Sequence, residues 1–265
     1  MEWFRDPGVV GRYRAAHEGW GPQARYYQSR IHLISASLQG RSGELLDVGC
    51  GPGVLIEHLL RTRPDDLRIS ACDISAEMLD TAAGKLADAG RTDQVSLSLA
   101  SIEQLPYPAA RFDVVIAAGV LEYVDLSRAL PELARVVRAD GLVIVTMLNP
   151  LSPYRLFEWC VYWPAVRLVG RVERLLGRPA DQCHTIAASG IRAKSHRRLT
   201  RLLGAAGLEE IDAAYYDVNA LLPPLDGYVR RWTRRWRDRP DTTISRGARR
   251  WLGTAYLIAA RPATT

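Results

Sequence analysis

The chain has 265 residues, of which 48% are hydrophobic and 24% charged. That balance excludes general disorder, and the length suits one large domain with insertions better than two full domains. The formal net charge of +6 is local, because residues 228–251 hold nine arginines against Asp238 and Asp241, a net +7, and the rest sums to about −1. The longest uncharged apolar runs, 114–121 and 159–166, fall far short of the roughly 20 residues that cross a bilayer. Met1 is followed by acidic and aromatic residues, so no secretory signal is expected. Cys50, Cys72, Cys160 and Cys183 are too widely and irregularly spaced for a disulfide framework or a CxxC metal site, which points to a cytoplasmic protein without a metal.

In chain order, residues 11–39 read as helical. Short, near-continuously apolar runs follow at 44–48, 68–72, 95–99, 113–117 and 142–147, the pattern of strands buried on both faces of a parallel sheet. Between them, 54–62, 76–89 and 126–138 have helical periodicity. Ser75 is placed to cap the second of these, Gly90 closes it, and Asp140-Gly141 makes a turn into the fifth strand. The alternation predicts a doubly wound, Rossmann-like α/β sheet. After Asn149 the rhythm breaks. An aromatic-rich helical stretch (Tyr154, Phe157, Trp159, Tyr162, Trp163) leads to a polar loop at 180–190. A helix at 195–206 ends at Gly207, a strand runs over 210–218, and the arginine cluster lies within 219–252. The last strand, 254–260, is expected to be antiparallel.

One motif carries chemistry: Leu45-Leu46-Asp47-Val48-Gly49-Cys50-Gly51-Pro52-Gly53, running from a strand into a helix. Glycines there let the backbone turn sharply and approach a ligand, and the helix start offers free N–H groups. A dinucleotide fingerprint would read GxGxxG. Here the spacing is GxGxG with an acid, Asp47, before it, which suits a ligand bearing an ammonium group and disfavours a pyrophosphate. Asp73, ending the second strand, is placed to accept two ribose hydroxyls.

With these residues the chain resembles the class I S-adenosylmethionine-dependent methyltransferases, over roughly 40–149 and more loosely in the closing strands. Leu105-Pro106-Tyr107, Arg111-Phe112-Asp113-Val114-Val115, Leu121-Glu122-Tyr123-Val124 and Asp140-Gly141-Leu142 continue the likeness. The resemblance implies a Rossmann-like core at 41–149 binding S-adenosylmethionine, an N-terminal helical lid at 1–40, and a remainder, 150–265, with substrate-cap insertions at about 150–195 and 219–252. It implies that Asp47, Gly49 and Gly51 hold the methionine end and Asp73 the ribose, with Gly53 also among the cofactor-binding residues. Ile74 and Met78 would flank the adenine, with Ser101 and Ile102 at its edge, Ala118 beside the sulfonium and Tyr27 closing over the methionine. Many relatives carry an acid where this chain has Ser101, a weaker acceptor.

Methyl transfer from a sulfonium is an in-line displacement, so a base is needed only where the acceptor must lose a proton. The candidates are Glu122 after the fourth strand, His17 in the lid and His184 in the first insertion. The aromatic stretch 154–163 either lines the acceptor pocket or cements the insertion to the core or to a second subunit of a homodimer. The arginine segment reads first as a solvated helix face, then as a peripheral membrane contact or an RNA contact. No RNA-binding module accompanies it, which argues against nucleic acid. The expected activity is methylation of O, N or C in a small aromatic or apolar metabolite of specialised metabolism. A lipid, quinone or RNA acceptor, and a non-catalytic cofactor-binding protein, are the alternatives.

Overall fold

The computed structural model describes residues 22–63, 66–179, 191–218, 244, 246–247 and 251–263. His17, Cys183, His184 and nearly all of the arginine-rich segment lie outside the described residues. Helix α1 (Pro22–Ser37) precedes β1 (Gly43–Val48), α2 (Val54–Thr62), β2 (Leu67–Asp73), α3 (Ala76–Asp88), β3 (Val95–Leu99) and β4 (Phe112–Ala117). Then come α4 (Leu126–Val136), β5 (Val137–Leu148), α5 (Pro153–Phe157), a π turn over Glu158–Tyr162, α6 (Trp163–Leu175), α7 (His196–Ala205), β6 (Leu208–Val218) and β7 (Gly253–Pro262).

The seven strands form one sheet in the order β3-β2-β1-β4-β5-β7-β6. The first five strands in this order pair in parallel, and β7 is antiparallel to both β5 and β6. Alternate residues of each strand enter opposite layers of core. Leu46, Val115, Val143 and Ile258 pack beneath α4 and α7, whereas Leu45, Val114, Ile144 and Leu257 pack beneath α1 and α2. Burial on both faces is why these strands read as continuous apolar runs.

Local signals fix most boundaries. The Ser75 hydroxyl accepts the Met78 amide at 3.3 Å, as an N-cap should, and Asp125 caps α4 through the Ser127 amide at 2.9 Å. Gly90 and Gly207, at φ 63° and 80°, take the left-handed turn after their helices. One boundary differs from expectation. The helix expected to reach Arg138 stops at Val136, and β5 starts at the next residue. Asp140-Gly141 is no turn but part of a bulge: Phe112 pairs with Val137 and Val114 with Leu142, so two steps along β4 match five along β5. Arg138 within the bulge pairs with Asp113. A Cβ on Gly141 would lie 2.5 Å from Val137 Cγ2, so only glycine fits this fold-back.

Candidate active site

The order of the sheet reverses between β1 and β4, which neighbour each other although β2 and β3 intervene in sequence. The register sets Asp47 beside Ala71 on one side and Ile116 on the other, so the carboxyl ends of β1, β2 and β4 finish together. A crevice outside such ends is where open α/β sheets bind ligands. Here a cavity enclosing about 670 Å³, including its open mouth, runs from Met78 and Ile102 past Asp73 to Gly49 and Ala118. A second recess of about 410 Å³ shares Gly49 and Ala118 and continues to Asp47 and Arg30.

The glycine elbow gives the cavity its shape. Gly49 has φ 70°, and a Cβ there would lie 2.1 Å from Val120 Cγ2. The Gly49 and Cys50 amides donate to the Cys72 carbonyl at 2.7 and 3.1 Å. The Gly51 amide donates to Asp73 Oδ2 at 2.9 Å, and the Ser75 amide to Asp73 Oδ1 at 2.9 Å. Asp73 therefore ties two loops together while its carboxylate borders the cavity. Burial raises its carboxyl above the usual range, and these amides oppose the rise.

Asp47 is only 2% exposed, and its Oδ2 is buried without a hydrogen-bond partner. Burial pushes its carboxyl up to about 7, with Arg30 opposing and Asp73 adding to the rise. A buried acid with an open acceptor, facing a recess, calls for a cationic donor. Arg30 closes the far side of that recess. Its guanidinium reaches the Ala118 carbonyl at 3.5 Å and lies 5.0 Å from the centre of the Tyr27 ring. Gly119, at φ 76°, makes this crossing feasible, since a Cβ there would be 2.4 Å from Arg30 Nη1. Burial pushes the Cys72 thiol up to about 12 and Cys50 higher still, so neither supplies a thiolate.

The fold thus brings together Asp47, Gly49, Gly51, Asp73, Ile74, Met78, Ser101, Ile102 and Ala118 around two adjoining recesses that share Gly49 and Ala118. Ser101 Oγ accepts the Glu103 amide at 3.2 Å, which uses one of its lone pairs. Three expected site residues stand elsewhere. Gly53 caps α2 and lets it approach α3, because its Cβ would meet Ala82 at 3.1 Å, so its role is helix packing. Tyr27 stacks with Tyr26 and Arg30 rather than lining the cavity. Glu122 lies in a single turn after β4, 2% exposed, with Oε1 accepting the Leu148 amide at 2.9 Å and Oε2 buried without a partner. It does not line the cavity, although its neighbours Val120, Tyr123 and Val124 do. In the aromatic stretch Trp159 and Tyr162 are exposed and do not line the cavity.

Arg30, Gly119 and Val120 were not singled out in the sequence. Gly119 carries a local signal, a glycine two residues after an apolar strand. Arg30 carries none, because its partners are far along the chain. Among the described residues there is no cluster of three His, Cys, Asp or Glu side chains able to hold a metal, and no helix long and apolar enough to cross a membrane.

This geometry agrees with what known proteins show. Residues 46–145 match the family model described as a methyltransferase domain. A biotin biosynthesis bifunctional protein BioHC from Teredinibacter turnerae is 33% identical over 177 residues, 63% of this chain and 30% of that protein. A ubiquinone/menaquinone biosynthesis C-methyltransferase UbiE from Hahella chejuensis is 29% identical over 167 residues, 62% of this chain and 66% of that protein. The crystal structure of a SAM-dependent methyltransferase from Thermotoga maritima superposes with a TM-score of 0.62 at 17% identity, covering 98% of this chain and 99% of the other. Residues 46–145 therefore match a methyltransferase domain, set in a fold shared with a solved S-adenosylmethionine-dependent methyltransferase. The chain spans from about a third to two thirds of the length of the curated relatives it matches.

Proposed function

We propose that this protein transfers a methyl group from S-adenosylmethionine to a small, mostly apolar or aromatic acceptor. The observation that carries the reading is the pair of buried carboxylates at the glycine elbow, Asp73 anchored by two amides and Asp47 with an open Oδ2. Asp47 would take the ammonium of the methionine moiety, Arg30 its carboxylate, and Asp73 the ribose hydroxyls. Met78, Ile74 and Ile102 would enclose the adenine, with Ser101 at its polar edge. Bound there, S-adenosylmethionine supplies an electrophilic methyl group to a nucleophilic atom of the acceptor. The chain's own contribution is to orient the two reactants and exclude water, which suffices for an in-line displacement.

Glu122 fits a positioning role in this scheme, because its carboxylate holds the Leu148 amide at the end of β5 and does not line the cavity. His17 and His184 remain proposals for proton transfer from the N-terminal and insertion segments. The relatives named as ubiquinone/menaquinone C-methyltransferases favour a second reading, a quinone-type ring carbon as acceptor. Calorimetric titration with S-adenosylmethionine and S-adenosylhomocysteine, at low and high salt, tests the first step. Micromolar binding of both supports it, and no binding of either overturns it. Methylation of a demethylated quinone in preference to simple phenols would decide for the second reading.

A further inference from the structure

Helix α6 reverses the usual burial pattern. Trp163, Val166, Gly170 and Glu173, spaced three and four apart, face the body of the protein, and Gly170 and Glu173 are the most buried of them. The large aliphatic residues point the other way. Leu168 is 62% exposed, Leu175 87% and Leu176 just beyond the helix 79%, with Val169 and Val172 close to half exposed. At about 100° per residue these five side chains occupy an outward arc of roughly 120°. Exposed Arg167, Arg171 and Arg174 form a row along one edge of that arc. The one acid of the helix, Glu173, is buried and pairs with Arg178, so the outer face presents no acid. Trp159 and Tyr162, in the turn before, are exposed as well.

An apolar arc edged by guanidinium groups is costly to leave in water. A second copy of the chain answers it poorly. A 13-residue helix is about 20 Å long and about 10 Å wide, too little for the roughly 800 Å² per partner of a stable interface. Two such faces would also bring arginine rows together with no acid between them. The chain's own 228–251 segment, with nine arginines, adds like charge. A bilayer with anionic headgroups answers both features: acyl chains receive the leucines and valines while the arginine stems lie along the interface and their heads reach phosphates. We propose that the outer face of α6 and the turn before it dock peripherally on an anionic lipid surface. The inference stands apart from the cofactor assignment, since this face does not line the cavity.

Cosedimentation of the full chain with vesicles tests it, using equal parts phosphatidylcholine and phosphatidylglycerol against phosphatidylcholine alone. The wild type should bind the anionic vesicles, and binding should weaken steeply at about 1 M salt. Replacing both Leu168→Asp and Val172→Asp should reduce partitioning at least about tenfold. Replacing both Arg167→Gln and Arg171→Gln should cost about fivefold per arginine at low salt. Unchanged thermal unfolding midpoints keep these losses from being misread as misfolding. Absence of wild-type binding would overturn the proposal. So would loss of binding on replacing Arg230, Arg231, Arg234 and Arg235 with Gln while the helix variants still bind, which would place the contact in that segment. Conversion of a wild-type dimer to a monomer by the helix variants, with vesicle binding intact, would assign the face to a second copy.

Discussion

The two ends of the β5–β1 half of the sheet put their charges in opposite places. At the elbow after β1 and β2, the charged groups are the walls of a cavity: Asp47 and Asp73 face it, and Arg30 closes it. In the stretch after β5 the acids are held by arginines of the same stretch, Glu158 by Arg155 and buried Glu173 by Arg178, while leucines, valines and a row of arginines face out. Burying a charge is costly in both places, and the compensation differs. The elbow leaves Asp47 Oδ2 open toward a recess, which a bound cation can satisfy. The insertion pairs its acids Glu158 and Glu173 with its own arginines and leaves apolar surface, edged by exposed arginines, for something outside the fold. One region is built around a ligand that enters, the other around a surface that the protein meets.

The largest test of that contrast is Asp73→Ala. Loss of a carboxylate that holds two loop amides and two hydroxyls should weaken S-adenosylhomocysteine binding by about 3 kcal/mol, roughly a hundredfold. Calorimetry reads this directly, and affinity within threefold of wild type, allowing for the precision of about half a kcal/mol, would detach Asp73 from the ligand.

Next in size is the pH dependence set by Asp47. Its carboxyl sits at about 7 in the folded protein, above its ordinary 3.8. The folded state therefore holds more protons than the unfolded chain between those values, and stability from this group falls as pH rises, levelling off above 7. Between pH 5.5 and 7 the unliganded protein should lose about 2 kcal/mol through Asp47. Asp73 and Glu122, also raised by burial, slope the same way, so the comparison to make is with Asp47→Asn, which should flatten the profile by that amount. Stabilisation by S-adenosylhomocysteine should correspondingly grow from pH 5.5 to 8, as its ammonium pairs with the ionised carboxylate. Parallel thermal-unfolding profiles for wild type and variant would remove Asp47 from that role.

How far each region could be read in advance follows from how local its causes are. The elbow is written in nine consecutive residues, and Asp73 follows from the register of a neighbouring strand, so both were legible. The N-caps at Ser75 and Asp125 and the left-handed glycines are equally local. Arg30 was not legible, because the Ala118 carbonyl it meets is 88 residues away. The bulge in β5 was misread as a turn because Asp-Gly has the same composition in either setting, and only pairing with β4 separates the two. Periodicity pointed to a helical stretch over 154–163 but not to its continuation through Leu175 or to which side would face in. The ordinary rule would bury Leu168 and Leu175, and tertiary packing buries Gly170 and Glu173 instead.

Gly119→Ala probes the seam between the regions. The residue has φ 76°, and a methyl group would press on Arg30 Nη1. Left-handed strain costs about 1–2 kcal/mol in stability, and displacement of Arg30 should add a loss in affinity for S-adenosylhomocysteine but none for methylthioadenosine, which lacks the methionine carboxylate. Equal losses for both ligands would mean that Arg30 does not meet that carboxylate.

The smallest expected effect belongs to Glu122→Gln. The amide oxygen of glutamine can still accept the Leu148 amide, so the end of β5 should stay in place. The new NH2 group replaces the buried, unpartnered Oε2, and no charge then needs burying, so stability above neutral pH should rise by a few tenths of a kcal/mol or stay level. If Glu122 only positions β5, turnover should change by less than about twofold, within about 0.4 kcal/mol. A large fall in turnover with cofactor affinity unchanged would instead show that Oε2 takes part in the chemistry, and that the acceptor reaches deeper between the two regions than the cavity now extends.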